Sequence, residues 1–289
     1  MKKLFASLTA GVMALALSAC GSSTAGTGGP GSSGQGSGVE DGVFTVAMEA
    51  AYAPYNWAQP DDSNGAVPIK DSALYANGYD VMTAKQIAEA NGWELEIVQL
   101  DWDSLIPAVQ SGTVDAVIAG QSMTAERDTE VDFAGPYLYA NIVVLTKSDS
   151  QYANAAGLAD LSGATMTSQT GTIWYDSLIP QIDGVNRASA AESAPAMLTA
   201  LATGSVDAVV TDKPTAQGAV LAYPDLKILD FPDDGDDFQV SDEDVNIGIS
   251  VRDGNTELKN LIDKALKGKT AEDFDAQMAE AVKIQPLSE

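Results

Sequence analysis

Histidine is absent from this chain of 289 residues, cysteine occurs once, and arginine is confined to Arg127, Arg187 and Arg252. Without histidine there is no Ser-His-Asp triad, no Cys-His pair and no imidazole metal ligand. The single thiol, Cys20, lies too near the N-terminus to sit inside a folded core, and with no second cysteine the chain forms no internal disulfide. Basic residues number 15 against 41 acidic ones, a formal net charge of -26. That balance excludes the clustered Lys and Arg that neutralise phosphates, so no nucleic-acid partner is expected. Beyond residues 4–19 no segment approaches the apolar length of a membrane span. At 45% hydrophobic the chain has enough apolar surface for a buried core, in a length suited to one large or two modest domains. What remains is an acidic α/β-sized protein with little equipment for covalent chemistry, and neither a metal nor a cofactor is implied.

The first residues read as an address. Met1-Lys2-Lys3 is a short positive start, and residues 4–19 are uncharged and mostly apolar. That run is shorter than the roughly 20 residues of a spanning helix and matches a secretory signal peptide. It ends in Leu17-Ser18-Ala19-Cys20-Gly21, which resembles the lipobox of bacterial lipoproteins. In that class the cysteine is thioether-linked to diacylglycerol and becomes the new N-terminus. The alternative is an incidental thiol beside an ordinary cleavage site, although the only cysteine falls at the one position the lipobox requires. Residues 21–38 are almost entirely Gly, Ser, Thr, Ala and Pro, a flexible tether with a reach of roughly 20–25 Å. Two acyl chains anchor stably. The expectation is a signal peptide over residues 1–19, a lipid-anchored tether over 20–42, and an extracytoplasmic body held at the cell membrane without spanning it.

Beyond the tether, strand and helix patterns alternate. Val43-Phe44-Thr45-Val46-Ala47-Met48 is a β-rich run, and residues 80–90 carry apolar positions at helical spacing, stopped by Asn91-Gly92. Leu95, Ile97 and Val98 supply a strand, residues 103–110 a short helix closed by Ser111-Gly112, and residues 114–119 a further strand. This alternation predicts parallel sheet with crossover helices. Two internal echoes support a pair of similar lobes. The helix, glycine and Val114-Asp115-Ala116-Val117 recur as helix, Gly204 and Val206-Asp207-Ala208-Val209, and Asp103-Ser104-Leu105-Ile106-Pro107 recurs as Asp176-Ser177-Leu178-Ile179-Pro180. Open α/β sheets bind ligands beyond the carboxyl ends of their strands, so the residues following each echoed strand are the first candidates.

Those residues include Ser122, Thr124 and Arg127 in one half and Asp212 in the other. A helix expected to start at Thr124, with its free N–H groups, and a forked guanidinium together make a carboxylate cradle. Asp212 can accept from an ammonium. A free α-amino acid, carrying both charges close together, would take one group from each lobe and draw the lobes shut. Simpler roles stay open: a surface ion pair of Arg127 with Glu126, Asp128 or Glu130, and a helix cap for Asp212 before Lys213-Pro214.

Four stretches carry a family resemblance: Glu49-Ala50-Ala51-Tyr52-Ala53-Pro54-Tyr55; Gly78-Tyr79-Asp80-Val81; Trp102-Asp103-Ser104-Leu105-Ile106-Pro107 with Ser122-Met123-Thr124-Ala125-Glu126-Arg127; and Val206-Asp207-Ala208-Val209-Val210-Thr211-Asp212. With Asn246-Ile247-Gly248-Ile249-Ser250-Val251, they resemble the solute-binding proteins of ABC importers for polar amino acids, the bacterial extracellular solute-binding family 3, over about residues 43–270. The resemblance implies a two-lobed α/β fold of the periplasmic-binding-protein type (type II), each lobe a mostly parallel sheet flanked by helices, joined by a two-strand hinge. Lobe 1 would comprise residues 43–140 plus 246–289 and lobe 2 residues 141–245, with crossings near Tyr139–Asn141 and Asp244–Asn246.

It also implies roles. Arg127, helped by Ser122 and backbone N–H groups near Thr172, would hold the α-carboxylate, and Asp212 the α-ammonium. Tyr52 and Trp102 stand where the family places rings around the ligand side chain, although either ring can equally belong to the core. Glu49 stands where related binders place an acid that reaches a cationic or polar side-chain end. Ala119 and Gly120 replace the hydroxyl residues often found at the strand end, and the segment after Leu266 lacks the usual closing turn, leaving the last residues poorly matched. The implied protein is a monomer that captures a free amino acid, polar or basic favoured, and delivers it to a membrane permease; it is not an enzyme.

Two rivals share the fold: a dehydratase-like enzyme, for which Glu49 is the one nameable acid–base, and an amino-acid sensor with the same site and a different client. The acidic residues 230–244 suggest calcium, but aligning Gly235 to the sixth loop position puts Pro232 at the third and Ser241 at the twelfth. The EF-hand spacing fails, leaving a solvated acidic loop.

Overall fold

The computed structural model of the chain describes residues 38–232 and 235–286. The expected signal peptide, Cys20, most of the tether, and Asp233 and Asp234 of the acidic stretch lie outside the described residues. Five strands form a first sheet in the order Glu94–Gln99, Val43–Met48, Ala116–Ser122, Asn246–Arg252, Val131–Tyr139. Five more form a second in the order Asn186–Arg187, Thr165–Thr167, Ala208–Asp212, Ile142–Lys147, Leu226–Leu229. In each sheet only the fourth strand of that order opposes the others. That strand is the one arriving from the other lobe.

The fold is therefore two lobes of like topology. The chain leaves the first sheet after Tyr139, enters the second at Ile142 and returns at Asn246, and the two crossings are bonded together by Ala140 N–H donating to the Val245 carbonyl at 2.7 Å. Both faces of the second sheet are covered. On Ile142–Lys147, Val143 and Leu145 join one apolar cluster, shared with Met197, Leu201 and Ala216, while Val144 joins the other, which is why Ile142-Val143-Val144-Leu145 is apolar without alternation.

The repeated Val-Asp-Ala-Val has a structural cause. Asp115 accepts from Thr45 N–H through its carboxylate at 2.8 Å and donates its own N–H to the Thr45 carbonyl at 2.9 Å. Asp207 makes the same two bonds with Thr165, at 2.8 Å each. Asp115 thereby stitches the base of Ala116–Ser122 to Val43–Met48, and Asp207 that of Ala208–Asp212 to Thr165–Thr167; Gly112 and Gly204 lie before them at φ 73° and 74°. The other echo is not equivalent. Asp103-Ser104-Leu105-Ile106-Pro107 lies in the helix Trp102–Ser111, between the second and third strands of its sheet. Asp176-Ser177-Leu178-Ile179-Pro180 lies in turns spanning Trp174–Leu178 and Ile179–Gln181, after Thr165–Thr167 and before Asn186–Arg187, one crossover earlier than the helix's counterpart before Ala208–Asp212. Five residues that open a turn and bury their leucine fit either crossover.

The helix Tyr79–Asn91 buries Val81, Ala84, Ile87 and Ala88 and stops at Gly92, φ 73°. Asn255 caps Thr256–Leu266 by accepting from Leu258 N–H at 3.2 Å, and Leu258, Ile262 and Leu266 face inward. The poorly matched tail forms a helix, Ala271–Ile284, with a Thr270/Asp273 capping box. It packs on Val131–Tyr139 and Tyr79–Asn91, and also on Lys213–Ala222 of the second lobe. A small antiparallel sheet, Ala51–Tyr52, Asn56–Gln59, Tyr75–Asn77 and Val67–Pro68, projects Tyr52 toward the second lobe. In the acidic stretch, Asp230 pairs with Lys213 at 2.6 Å and Asp236 accepts from Ala159 N–H at 2.7 Å. Among the described residues no acid cluster has the arrangement of a metal site.

Candidate functional site

The carboxyl ends of both sheets meet across one cleft. From the first lobe come Glu49, directly after Val43–Met48, then Tyr52, Trp102 and the end of Ala116–Ser122; from the second come residues 169–174, after Thr165–Thr167, and Asp212, the last residue of its strand. Tyr52, Trp102, Gly120, Ser122 and Arg127 face Gln169, Thr172, Ile173 and Trp174, and the space left between them is about that of a single water molecule. Arg127 also borders the wider cleft mouth, a space of about 490 Å³ that Asp103, Glu126, Glu130, Asp176, Glu243 and Asp244 surround with carboxylates.

Arg127 spans the cleft. One guanidinium nitrogen donates to the Ser122 carbonyl at 2.9 Å and another to the Gly171 carbonyl of the second lobe at 3.0 Å, while the Trp102 ring lies 5.5 Å below its central carbon. None of the salt bridges found among the described residues involves it, so the surface pairing with Glu126, Asp128 or Glu130 is not made. Burial holds the guanidinium below the usual arginine range. The helix expected at Thr124 is not there. Thr124 accepts from Arg127 N–H at 3.3 Å, but only a single 3-10 turn, Arg127–Thr129, follows before the strand at Val131. Too few residues separate the two strands for a helix, so the cradle is a guanidinium at a turn, without a helix N-terminus.

Asp212 plays two parts at once. Its Oδ1 accepts from Thr215 N–H at 2.9 Å, capping Lys213–Ala222, and its Oδ2 accepts from the Thr215 hydroxyl at 2.9 Å and the Tyr52 hydroxyl at 2.6 Å. Full burial raises its carboxyl above the usual range against the pull of these donors. Burial and the adjacent carboxylate push the Tyr52 hydroxyl far up, so it stays a donor. Asp212 thus stands behind Tyr52, with the ring between it and the gap. Tyr52 also stacks on Tyr55 at 4.7 Å.

Glu49 is 7% exposed. Its Oε1 accepts from Gln169 across the cleft at 3.2 Å, and its Oε2 is buried without a hydrogen-bond partner among the described residues. Burial pushes its pKa to about 7; the Gln169 bond opposes the rise, and Asp101, Asp103 and Asp80 add to it. Ala119 is wholly buried in its strand. The Thr172 hydroxyl donates to the Gln169 carbonyl at 2.7 Å, closing the turn at Gly171. Sequence reasoning missed Gln169, Ile173 and Trp174, although all three lie within three positions of Thr172.

Two α/β lobes of like topology, closed over a cleft with a guanidinium on one side and a capped carboxylate buried behind Tyr52 on the other, define a bilobal binding protein. The chain belongs to the bacterial extracellular solute-binding proteins, family 3, whose family model matches residues 44–280. It is 30% identical over 276 residues to the arginine-binding extracellular protein ArtP of Bacillus subtilis (strain 168), covering 92% of each chain. Among solved structures it is similar to an amino acid ABC transporter substrate-binding protein, AbpA, of Streptococcus pneumoniae bound to L-arginine, at 27% identity and a TM-score of 0.68 over 84% of this chain and 95% of that one. It is also similar to an ancestral amino acid-binding protein described as a precursor of cyclohexadienyl dehydratase, at 27% identity and a TM-score of 0.66 over 84% and 97%. Among the described residues no helix is long and apolar enough to cross a membrane.

Proposed function

We propose that this chain is the substrate-binding lipoprotein of an amino-acid ABC importer, capturing a free amino acid between lobes bounded at residues 43–140 plus 246–289 and 141–245. One observation carries the reading: each charged pole of the cleft is held by a protein group that an amino acid can replace. The Gly171 carbonyl occupies Arg127 where an α-carboxylate would go, while the Ser122 carbonyl holds the guanidinium in place. The Tyr52 hydroxyl occupies Asp212 where an α-ammonium would go. The Gln169 amide occupies Glu49 where a cationic side-chain end would go. Of the five N–H donors of a guanidinium, Arg127 uses two here, leaving three for a carboxylate. A basic amino acid fits best, because a cationic side-chain end would both donate to the unpartnered Glu49 oxygen and balance the carboxylate charge; the relatives named for arginine support the same choice.

A thermal-shift screen of the twenty amino acids tests this, since a ligand of the folded state raises the midpoint by mass action. Arginine or lysine should give the largest shift, and no shift with any of them ends the proposal. Glu49 sets the pH dependence. Held protonated up to about pH 7 in the closed cleft, it must ionise to meet a cation, so binding expels a proton below that pH. Affinity for a basic amino acid should therefore climb from about pH 5.5 to about pH 7 and level off above. Glu49→Gln should flatten the profile and weaken a basic ligand more than a neutral one; equal losses would mean that Glu49 does not read side-chain charge.

The dehydratase-like alternative also draws on Glu49, a carboxyl poised near neutrality inside a cleft. Recovery of the bound ligand chemically unchanged after prolonged incubation separates binding from turnover. At the membrane, Cys20 is proposed as the lipid attachment site after removal of residues 1–19. Cys20→Ser should move the protein from the membrane to the soluble fraction, and persistent membrane fractionation would reject the anchor.

A further inference from the structure

The Gly78-Tyr79-Asp80 turn takes no direct part in the cleft, yet each of its residues grips an element that lines it. Gly78, at φ 122°, lies so close to the chain at Tyr55 and Asn56 that a Cβ there would stand 2.4 Å from the Tyr55 carbonyl oxygen. Tyr79 N–H donates to the Pro54 carbonyl at 3.1 Å and Asp80 N–H to that of Tyr55 at 2.8 Å. The Tyr79 ring stacks on Tyr137 at 5.6 Å and meets the Tyr55 ring edge-on at 6.3 Å, and its hydroxyl donates to the Tyr137 carbonyl. Asp80 is wholly buried, accepting from Asn56 Nδ2 at 2.7 Å and from the Tyr137 hydroxyl at 2.7 Å. The Tyr137 hydroxyl in turn accepts from Gly120 N–H at 3.0 Å.

That last bond falls where the sheet lets go. Gly120 is bent to φ 67°, its neighbour Asn246–Arg252 shifts register opposite it, and Val43–Met48 pairs with Ala116–Ser122 only at Ala116 and Val117. The rings of Tyr52 and Tyr55 press on the bend, 3.0 and 3.3 Å from where a Cβ would stand. Past the bend come Ser122, whose carbonyl holds the guanidinium, and Arg127 itself.

We infer that Asp80 and Tyr137 are positioning residues: through the bonds Asp80–Tyr137–Gly120 they fix the bent strand end that carries Ser122 and Arg127, and so set affinity without touching the ligand. The inference rests on the reading of the cleft as an amino-acid site.

Tyr137→Phe keeps the ring stack and removes only the hydroxyl. At a temperature where circular dichroism finds all variants folded, its affinity for L-arginine should fall about tenfold, the worth of one buried hydrogen bond and the groups it leaves unpaired. Amide hydrogen exchange at Gly120, read by NMR, should speed up while the flanking strand stays protected, a signature that general loosening would not give. Asp80→Asn should retain most of the affinity, because its carbonyl can accept from Tyr137 and its amide can donate to a flipped Asn56, whose Oδ1 now lacks a partner. Asp80→Leu should lose affinity as Tyr137→Phe does; if it fails to fold, the isosteric Tyr137→Phe carries the test. Affinity within about twofold of the unmodified protein in Tyr137→Phe would overturn the positioning role. Failure of the unmodified protein to bind any amino acid removes the cleft reading itself, and the Gly120 exchange readout tells the two failures apart.

Discussion

Arg127→Ala should weaken the best amino-acid ligand by about 2–5 kcal/mol, roughly 30-fold to several thousand-fold in Kd, because a carboxylate drawn into the closed cleft would lose its charged partner. The loss would be partly geometric. Arg127 is anchored to Ser122 on its own lobe and to the Trp102 face beneath, so its other donors are already aimed when a carboxylate takes the place of the Gly171 carbonyl. Arg127→Lys keeps the charge and loses the fork, so it should recover only a minor part of the affinity. Agmatine, which is arginine without its carboxylate, provides the control. It should bind the unmodified protein far more weakly than arginine and lose little further in Arg127→Ala, as a coupled pair requires. Equal losses for the two ligands in titration calorimetry would mean that Arg127 does not meet the carboxylate.

Gly78→Ala should cost about 3 kcal/mol of folding stability, read as a lower denaturant midpoint with unchanged slope. Two penalties combine. A φ of 122° is open to glycine and strained for any other residue, and the new Cβ would sit 2.4 Å from the Tyr55 oxygen and 2.9 Å from Asn56 Cα, backbone atoms that cannot turn aside. Retreat is blocked because the same Tyr55 carbonyl accepts from Asp80 N–H. Gly204→Ala is the comparison. It has φ 74° but nothing within 4 Å of its Cβ position, so only the backbone penalty of about 1 kcal/mol applies. Equal costs at the two sites would mean that the close approach at Gly78 does not matter.

Local rules carried much of the fold into the sequence. Val43–Met48 and Tyr79–Asn91 have the periods and stop signals of a strand and a helix, and both formed where those signals lie. Val-Asp-Ala-Val was informative because its aspartate does the same work twice, bonding a threonine at the base of a neighbouring strand. Asp-Ser-Leu-Ile-Pro was not, since a five-residue turn opener does not specify which crossover it occupies. At the site, Arg127 stood out because arginine is scarce and this one follows a strand end. Its turn was misread as a helix because the closeness of Val131 matters more than the capping potential of Thr124. Gln169, Tyr137 and Asp80 were illegible as site residues for a different reason. Gln169 acquires its part by meeting Glu49, 120 positions away, and Tyr137 by meeting Asp80, 57 positions away, and no local pattern records either meeting. Asp212 shows the same limit from the other side: its cap is local and readable, while its bond to Tyr52 spans 160 positions.

A crystal structure of the protein grown with L-arginine would decide whether the cleft holds a zwitterion. The amino acid should lie between the lobes with its carboxylate on Arg127, its ammonium on Asp212 and its guanidinium on Glu49, and the Tyr52 hydroxyl and Gln169 amide should have moved off the acids they now occupy. Arginine bound outside the cleft, or inside it with Arg127 still held by Gly171 and Asp212 still capped by Tyr52, would contradict this arrangement.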